Sequence, residues 1–303
     1  MTKKIMSKLR FLFIAIGAFL LFALVKKIGL QTIADNIAQV GWRFVPILSL
    51  SFLWYVLYTA GWMQFLGRLC DGIGFWELFR IKITGEAVNT MTPANFIGGD
   101  PMRIYLLRKN FPLSEGAASV VVDRTLASTA TIFVVVLGVV MAFVTFDRLP
   151  ANLKYGVPIA AIVCIGFIAF VLIHQRRGFF SLMISACMRL GIKRDFSDKT
   201  IRRFRELDGH IIDFYRANHR GFLLALFCHV LGRLLGVVEV YAIGRAVSDD
   251  FTLFAALMLT ALAPMVNVVF AFIPGAFGVM EGAYSGVLYL MGINPAIEIT
   301  IQI

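Results

Sequence analysis

Charged residues are scarce in this 303-residue sequence, at 16%, and it has only four cysteines and four histidines. Soluble domains carry about 25% charged and roughly 45–50% apolar residues, whereas 59% of this chain is hydrophobic and its mean hydropathy is +0.82. So hydrophobic a chain cannot bury its apolar groups in one water-soluble core. The composition therefore excludes a soluble enzyme, a nucleic-acid-binding domain and a disordered tail. The composition predicts a polytopic membrane protein with no nucleic acid among its partners.

Patterns that usually hold metals, disulfides or nucleotides are also missing. Cys70, Cys164, Cys187 and Cys228 lie far apart without C-x-x-C spacing, so neither a metal cluster nor a disulfide framework is indicated. The histidines form no H-E-x-x-H pattern, and the phosphate-binding sequence G-x-x-x-x-G-K-[ST] does not occur. We therefore predict no metal, no cofactor and no ATP hydrolysis by this chain.

Long apolar runs are abundant instead. A helix that crosses the hydrocarbon core, about 30 Å thick, needs roughly 20 mostly apolar residues. No small-residue cleavage site follows the first run, so we interpret it as an uncleaved helix. About seven spans are predicted: Phe11–Val25, Phe44–Leu66, Leu126–Phe146 with a start near Ser114, Gly156–Ile173, Phe222–Val247, Phe251–Phe270 and the partial run Ala283–Met291.

These spans are expected to form one transmembrane domain over residues 1–303. The chain stops eight residues after Pro295, which is too short to cross a membrane, so we expect truncation before a last helix. With a cytoplasmic N-terminus, 21 Lys and Arg residues lie inside and 6 lie outside. This bias predicts that orientation in the plasma (inner) membrane.

The basic segment 174–220 contributes 11 of the inside cations. Each basic group near anionic lipid contributes about 1 kcal/mol. We expect one or two amphipathic helices here, anchored on the anionic surface of the cytoplasmic leaflet, with a plain topology determinant as the simpler alternative.

Two apolar stretches, residues 85–103 and 267–282, are interrupted by proline, glycine and a carboxylate. Proline removes a backbone donor and glycine weakens a helix, so neither stretch is expected to be one continuous helix. Irregular backbone at membrane depth is tolerated only when it is buried in protein or lines a wet cavity. The fold class predicted is therefore all-α, with about seven transmembrane helices plus two re-entrant or broken helical segments.

The two stretches resemble each other, which suggests an inverted repeat as used by transporters. Each has an asparagine, a proline, glycines and then a carboxylate seven residues after the proline, at Asp100 and Glu281. The alternative is a pair of interfacial turns with helix-capping acids.

Three blocks of residues, in order across most of residues 5–290, carry a resemblance to a known family. The blocks are Gly85, Glu86, Asn89, Pro93, Gly98, Gly99, Asp100 and Arg103; then Val122, Asp123 and Arg124; then Pro274, Gly275, Gly278, Glu281 and Gly282. The sequence resembles the transmembrane region of lysylphosphatidylglycerol synthase, in the wider group of flippase-like membrane proteins. The resemblance implies movement of a polar-headed lipid between leaflets, such as an aminoacylated phospholipid, a hopanoid or a glycolipid.

The full-length synthase has a soluble aminoacyl-transferase domain after its spans, and this chain has none. Synthase activity is therefore not carried over, and we predict that the chain is not an enzyme. Two other functions stay open: a scaffold that partners a lipid-synthesis enzyme or glycosyltransferase, and a membrane-embedded head-group transferase that uses Asp100, Asp123 and Glu281. Membrane lipids are the expected partners, besides a second copy of the chain or a separate lipid-modifying enzyme.

Arg233 lies near the centre of the fifth span, where an arginine costs roughly 2.5–3.5 kcal/mol and needs a partner. His229 and Gly236 share its helical face, whereas Glu239 points elsewhere. Its expected partner is Asp100, Glu281 or a lipid phosphate.

Asp123 and Arg124, near the cytoplasmic start of the third helix, are expected at the interface, with a structural bridge to Arg103 or Asp100 as the alternative to a substrate role. The complete predicted substrate site is Glu86, Asn89, Pro93, Gly98, Gly99, Asp100, Arg103, Asp123, Arg124, His229, Arg233, Glu239, Asn267, Pro274, Gly275, Gly278 and Glu281.

Overall fold

A computed structural model describes residues 41–66, 72–91, 98–145, 151–189, 197–269 and 279–294. The regular elements in these ranges are all helices, as expected for an all-α chain. After a short 3-10 turn at Gly41–Arg43 they are α1 (Phe44–Leu66), α2 (Phe75–Met91), α3 (Gly99–Leu107), α4 (Leu113–Thr145), α5 (Ala151–Gln175), α6 (Phe179–Arg189), α7 (Asp198–Ala217), α8 (His219–Val247), α9 (Leu253–Val269) and α10 (Val279–Leu290).

Three of these helices are long and apolar enough to cross a membrane. They are α1 together with its preceding turn, α4 and α8, which confirms three of the predicted spans. Ala161–Gln175 of α5 meets that criterion only jointly with α6, which is bent away from it by 101°. Helix α9 is apolar but shorter, and the predicted span Phe11–Val25 falls outside the described residues. The count of seven spans therefore stays a prediction.

Helices α1 and α8 pack against each other along most of their length. They run antiparallel, since Arg43 beside the start of α1 donates to the carbonyl of Ala246 (3.3 Å) and Asn218 before α8 donates to that of Gln64 (3.3 Å). A Cβ atom at Gly61 would lie 2.8 Å from His229 Nδ1. Small residues let membrane helices approach in this way, where van der Waals packing drives association.

Gly61→Ala should destabilise the protein, because the added methyl group meets the His229 ring and, at 3.2 Å, the carbonyl oxygen of Ala225. Overpacking of this kind costs about 1–3 kcal/mol. Thermal unfolding of the detergent-solubilised protein measures the change. Gly236→Ala is the matched control, because no atom of the described residues outside its own helix lies within 4 Å of the added Cβ. Equal midpoints for the two variants would contradict the tight helix contact.

The described residues of each interrupted stretch lie on two helices, and those of the first stretch, α2 and α3, pack against each other. Helix α2 ends at Met91 and α3 begins at Gly99, while α9 ends at Val269 and α10 begins at Val279. The predicted site residues Pro93, Pro274, Gly275 and Gly278 lie between these helices, outside the described residues.

Asp100 is in the first turn of α3, where a carboxylate complements the positive N-terminal end of the helix dipole. The side chain of Glu281 lies outside the described structure. The alternative of a helix-capping acid is matched only in part, because Asp100 lies in the first turn of α3 while the N-cap residue itself is Gly98. An inverted repeat stays a hypothesis.

The basic segment 174–220 forms the two helices α6 and α7. Asp208 of α7 is buried and accepts hydrogen bonds from the backbone N–H groups of Phe180 (3.0 Å) and Ser181 (2.7 Å) at the start of α6. Tyr215 of α7 donates to Gln175 (3.0 Å) at the end of α5, and burial raises the pKa of Tyr215 to about 12. These bonds fix both helices against the ends of the long ones.

Candidate functional site

A buried carboxylate, Asp123 of α4, is the centre of a charged network that joins four helices. Both carboxylate oxygens of Asp123 accept hydrogen bonds from Lys82 Nζ of α2 (3.0 and 2.9 Å). The Oδ2 atom also accepts a hydrogen bond from Arg103 Nη2 of α3. His229 Nε2 of α8 lies 3.0 Å from its Oδ1 atom. Asp123 and Arg103 are each 1% exposed. Buried charges persist only when paired and hydrogen-bonded in this way.

Trp62 of α1 forms the apolar wall of this network. Its ring is fully buried, with the Arg103 guanidinium carbon 4.0 Å and Lys82 Nζ 5.5 Å from the ring centroid. Cations over an indole face gain electrostatic stabilisation from the ring, more so when desolvated. Trp62 Nε1 donates a hydrogen bond to Ser119 Oγ of α4 at 3.3 Å. This bond fixes the indole ring against the same helix that carries Asp123.

A second carboxylate, Asp100, continues the network. Arg124 of α4 binds it in a two-pronged arrangement, with Nε and Nη2 at 3.0 and 3.1 Å from its two oxygens, and Arg103 Nη1 lies 3.3 Å away. Bidentate arginine–carboxylate pairs are strong and geometrically specific. Asp123 and Arg124, adjacent in sequence, therefore pair with different partners, as the bridge alternative predicted. Asp123 is buried in the protein, and the expectation that this pair lies at the membrane interface stays a prediction.

Polar contacts between α2 and α3 place Asp100 and Arg103. Asn89 Oδ1 accepts the backbone N–H of Gly99 at 2.8 Å. Asn89 Nδ2 lies 3.4 Å from Glu86 Oε2. Gly85 faces the Arg103 side chain so closely that a Cβ atom would overlap it. The glycines of the first broken segment thus let the two short helices pack.

Arg233 stands at the midpoint of the 29-residue helix α8. It is half-buried, its side chain is hydrogen-bonded to the phenol of Tyr58, and it interacts electrostatically with the phenol of Tyr284. Its buried Nε atom has no hydrogen-bond partner, and no carboxylate of the described residues lies within 4.0 Å of it. The expected pairing of Arg233 with Asp100 is wrong, because Asp100 is held by Arg124 and Arg103. The side chain of Glu281 lies outside the description.

Glu239 lies further along α8 than Arg233 and contacts α1. It accepts hydrogen bonds from Trp54 Nε1 (2.7 Å) and from the Ser51 hydroxyl, both on α1. Six residues separate it from Arg233, or about 9 Å along the helix axis. Sequence reasoning correctly separated it from Arg233 but gave it no partner.

The structure gathers about half of the predicted site into one network. Its members are Glu86, Asn89, Gly99, Asp100, Arg103, Asp123, Arg124 and His229, with Arg233 one turn beyond His229. Asn267 is half-buried near the end of α9, and among the described residues no hydrogen bond joins it to this network.

Three members were missed: Lys82, Trp62 and Tyr58. Sequence analysis counted Lys82 among cations of a cytoplasmic loop, yet it is 3% exposed. Its place three residues before Gly85, where the first broken segment begins, was the one signal that could have included it.

Comparisons with known proteins agree with this architecture. The family model described as the lysylphosphatidylglycerol synthase TM region matches residues 10–301. The chain is 23% identical over 295 residues to a UPF0104 membrane protein of Methanothermobacter thermautotrophicus, covering 94% of this chain and 86% of that protein. No solved structure matches the chain. The chain, with its apolar membrane-length helices, therefore belongs to the family of the lysylphosphatidylglycerol synthase transmembrane region.

Proposed function

We propose that this membrane protein moves a polar-headed lipid between the two leaflets. The observation that carries the proposal is Arg233, a cation at the middle of a membrane-length helix with no carboxylate in ion-pair range among the described residues. Such a charge is costly in hydrocarbon and marks substrate pathways by default. A lipid phosphate passing through the bilayer would supply the missing counter-charge.

The neighbouring network supports this role because each of its lysine and arginine side chains already contacts a carboxylate. Lys82 and Arg103 are paired with Asp123, and Arg124 with Asp100. These groups form a polar wall of paired charges, whereas no carboxylate of the described residues lies within 4.0 Å of Arg233.

Helices α2 and α3 are proposed to form a re-entrant hairpin beside this wall. With 17 and 9 residues, they extend about 25 Å and 13 Å, shorter than a full span. A hairpin of this kind brings polar groups to membrane depth while its backbone stays covered by protein. The acyl chains of the lipid would remain in the bilayer as its head group passes along the hairpin.

The substrate classes suggested by the resemblance are aminoacylated phospholipids, hopanoids and glycolipids. The role of Arg233 favours those that carry a phosphate. No nucleophile or metal set supports head-group chemistry in the sequence, so we propose a transporter and not an enzyme.

A leaflet-resolved assay in proteoliposomes tests the proposal. Labelled phosphatidylglycerol is incorporated, and a membrane-impermeant quencher destroys the outer label, so that only lipid movement brings further label to the quencher. We expect vesicles with the protein to lose nearly all label and protein-free vesicles to keep about half. If vesicles with the protein keep about half of the label, both for phosphatidylglycerol and for its aminoacylated form, the result would contradict the transport of phosphate-bearing lipids. A new lipid species in those vesicles would favour the transferase instead.

The face formed by α6 and α7 is proposed to lie on the anionic surface of the cytoplasmic leaflet. The 101° bend between α5 and α6 lays α6 along the membrane plane if α5 crosses it. Helix α6 exposes Leu182, Met183 and Met188, next to the exposed cations of α7. Amphipathic helices with this composition bind at membrane interfaces.

Changing Arg202, Arg203 and Arg205 together to glutamine should weaken retention of anionic lipid. All three are exposed on α7, and at about 1 kcal/mol each the affinity should fall by about 100-fold at low salt. Phosphatidylglycerol retained by the purified protein, counted by native mass spectrometry, measures the effect. Arg245→Gln, an exposed cation at the other end of α8, serves as the control. Unchanged retention would contradict lipid binding and favour the scaffold alternative, in which this face docks an enzyme.

A further inference from the structure

The two ring nitrogens of His229 face oxygens that are both acceptors. The Nδ1 atom lies 2.8 Å from the backbone carbonyl oxygen of Ala225, and Nε2 lies 3.0 Å from Asp123 Oδ1. A carbonyl oxygen cannot donate, so Nδ1 carries a hydrogen. An ionised carboxylate cannot donate either, so a second hydrogen must lie between Nε2 and Asp123. The pair therefore holds one proton more than a neutral imidazole and an ionised carboxylate do.

Charged and titratable groups from every helix packed around His229 act on this proton. They are Asp123 from α4, Lys82 from α2, Arg103 from α3, Tyr58 from α1, whose ring stacks on the imidazole at 5.3 Å, and Arg233 on α8 itself. Asp123 attracts the proton, whereas three neighbouring cations oppose it. Arginine does not give up its proton in proteins, so the cationic groups here that can lose a proton are Lys82 and His229 with hydrogens on both ring nitrogens.

We propose that the His229–Asp123 pair is a proton-binding site that couples lipid movement to a proton gradient. This inference rests on the proposed lipid transport and names the ion that drives it. One proton from the aqueous phase on one side of the membrane binds to the His229 Nε2 lone pair. It is released as a hydrated proton on the other side, and no covalent bond is made or broken beyond that N–H bond.

Loss of the proton changes a contact between two long helices. Without it, the Nε2 lone pair faces a carboxylate oxygen at 3.0 Å, which is repulsive, so α8 is released from α4 at this point. Arg233 lies one turn further along α8 and moves with it. Thermodynamic linkage requires the converse, that a lipid bound at Arg233 alters proton binding at His229.

An imposed pH gradient across proteoliposomes is the test. If one proton accompanies each lipid, the steady-state ratio of labelled lipid in the two leaflets should change about tenfold for each pH unit of gradient. His229→Gln keeps an amide donor towards Asp123 but binds no proton, so this variant should lose the gradient dependence. His174→Gln is the matched control: His174 Nδ1 also lies 2.8 Å from an i−4 carbonyl, that of Phe170, without an Asp or Glu in ion-pair range among the described residues.

The outcomes separate this inference from the proposed function. If the wild-type protein moves lipid but the leaflet ratio does not change with the pH gradient, proton coupling is overturned and the lipid-transport proposal stands. No lipid movement at any gradient overturns both.

Nitrogen-15 NMR of histidine-labelled protein in nanodiscs provides a readout that does not depend on transport. The signal that is missing from His229→Gln should show hydrogens on both ring nitrogens. An ordinary neutral imidazole signal that is unchanged over the accessible pH range would overturn the site itself.

Discussion

Asp123→Asn is expected to cause the largest loss of stability of any single substitution in the network. The carboxylate is 1% exposed and binds Lys82, Arg103 and His229. A neutral amide leaves these cations buried around a group that cannot balance them. Removing one partner of a buried ion pair costs about 3–5 kcal/mol, a large part of the stability of a typical domain. Unfolding in detergent, followed by size-exclusion chromatography on heating, measures the loss.

A surface carboxylate provides the matched comparison. Asp249 is 98% exposed on the side chain and lies 3.7 Å from Arg245, so Asp249→Asn should change stability by no more than about 0.5 kcal/mol. Adding Lys82→Met to Asp123→Asn should recover part of the loss, because one unpaired cation is removed and neighbouring substitutions are not additive. If Asp123→Asn unfolds at the same temperature as Asp249→Asn, the network does not stabilise the fold.

Arg233→Leu is expected to abolish lipid movement while the protein stays folded. The substitution removes a charge that the described protein does not pair, so membrane insertion should become easier by roughly 2.5–3.5 kcal/mol. The site for the phosphate would be lost, and truncation of a buried charged contact costs 2–5 kcal/mol or more, so we expect movement to slow by at least about 100-fold. The leaflet-resolved assay measures the rate, and the unfolding midpoint shows whether the fold is kept.

Arg245→Leu is the control for Arg233→Leu because it removes an arginine from the same helix at an exposed position, where the side chain is 41% exposed. It should move lipid at the wild-type rate. Wild-type movement by Arg233→Leu would remove Arg233 from the pathway and with it the observation on which the transport proposal depends.

Features that depend on one stretch of chain were predictable. The second predicted span, Phe44–Leu66, coincides with α1, and the start expected near Ser114 lies one residue from the start of α4. The interruption between α2 and α3 was also located, because proline and glycine act on the backbone of their own helix.

The partners of the charged groups were not predictable to the same degree. Asp100 was one of three partners considered for Arg233, besides Glu281 and a lipid phosphate, but it binds Arg124 and Arg103. Lys82 was assigned to a loop but lies against Asp123, 41 residues away in sequence. Both errors concern helices that meet only in the folded bundle.

The sequence by itself determined that this chain is a helical membrane protein, where the break between α2 and α3 lies, and which charges lie inside apolar runs. These properties follow from hydropathy over about 20 residues and from the backbone chemistry of proline and glycine. Only the tertiary structure decided that Asp123 collects Lys82, Arg103 and His229 and that Arg233 interacts with two tyrosines. The physical reason is that an ion pair needs atoms within about 4 Å, and the rotation and crossing of packed helices set that distance.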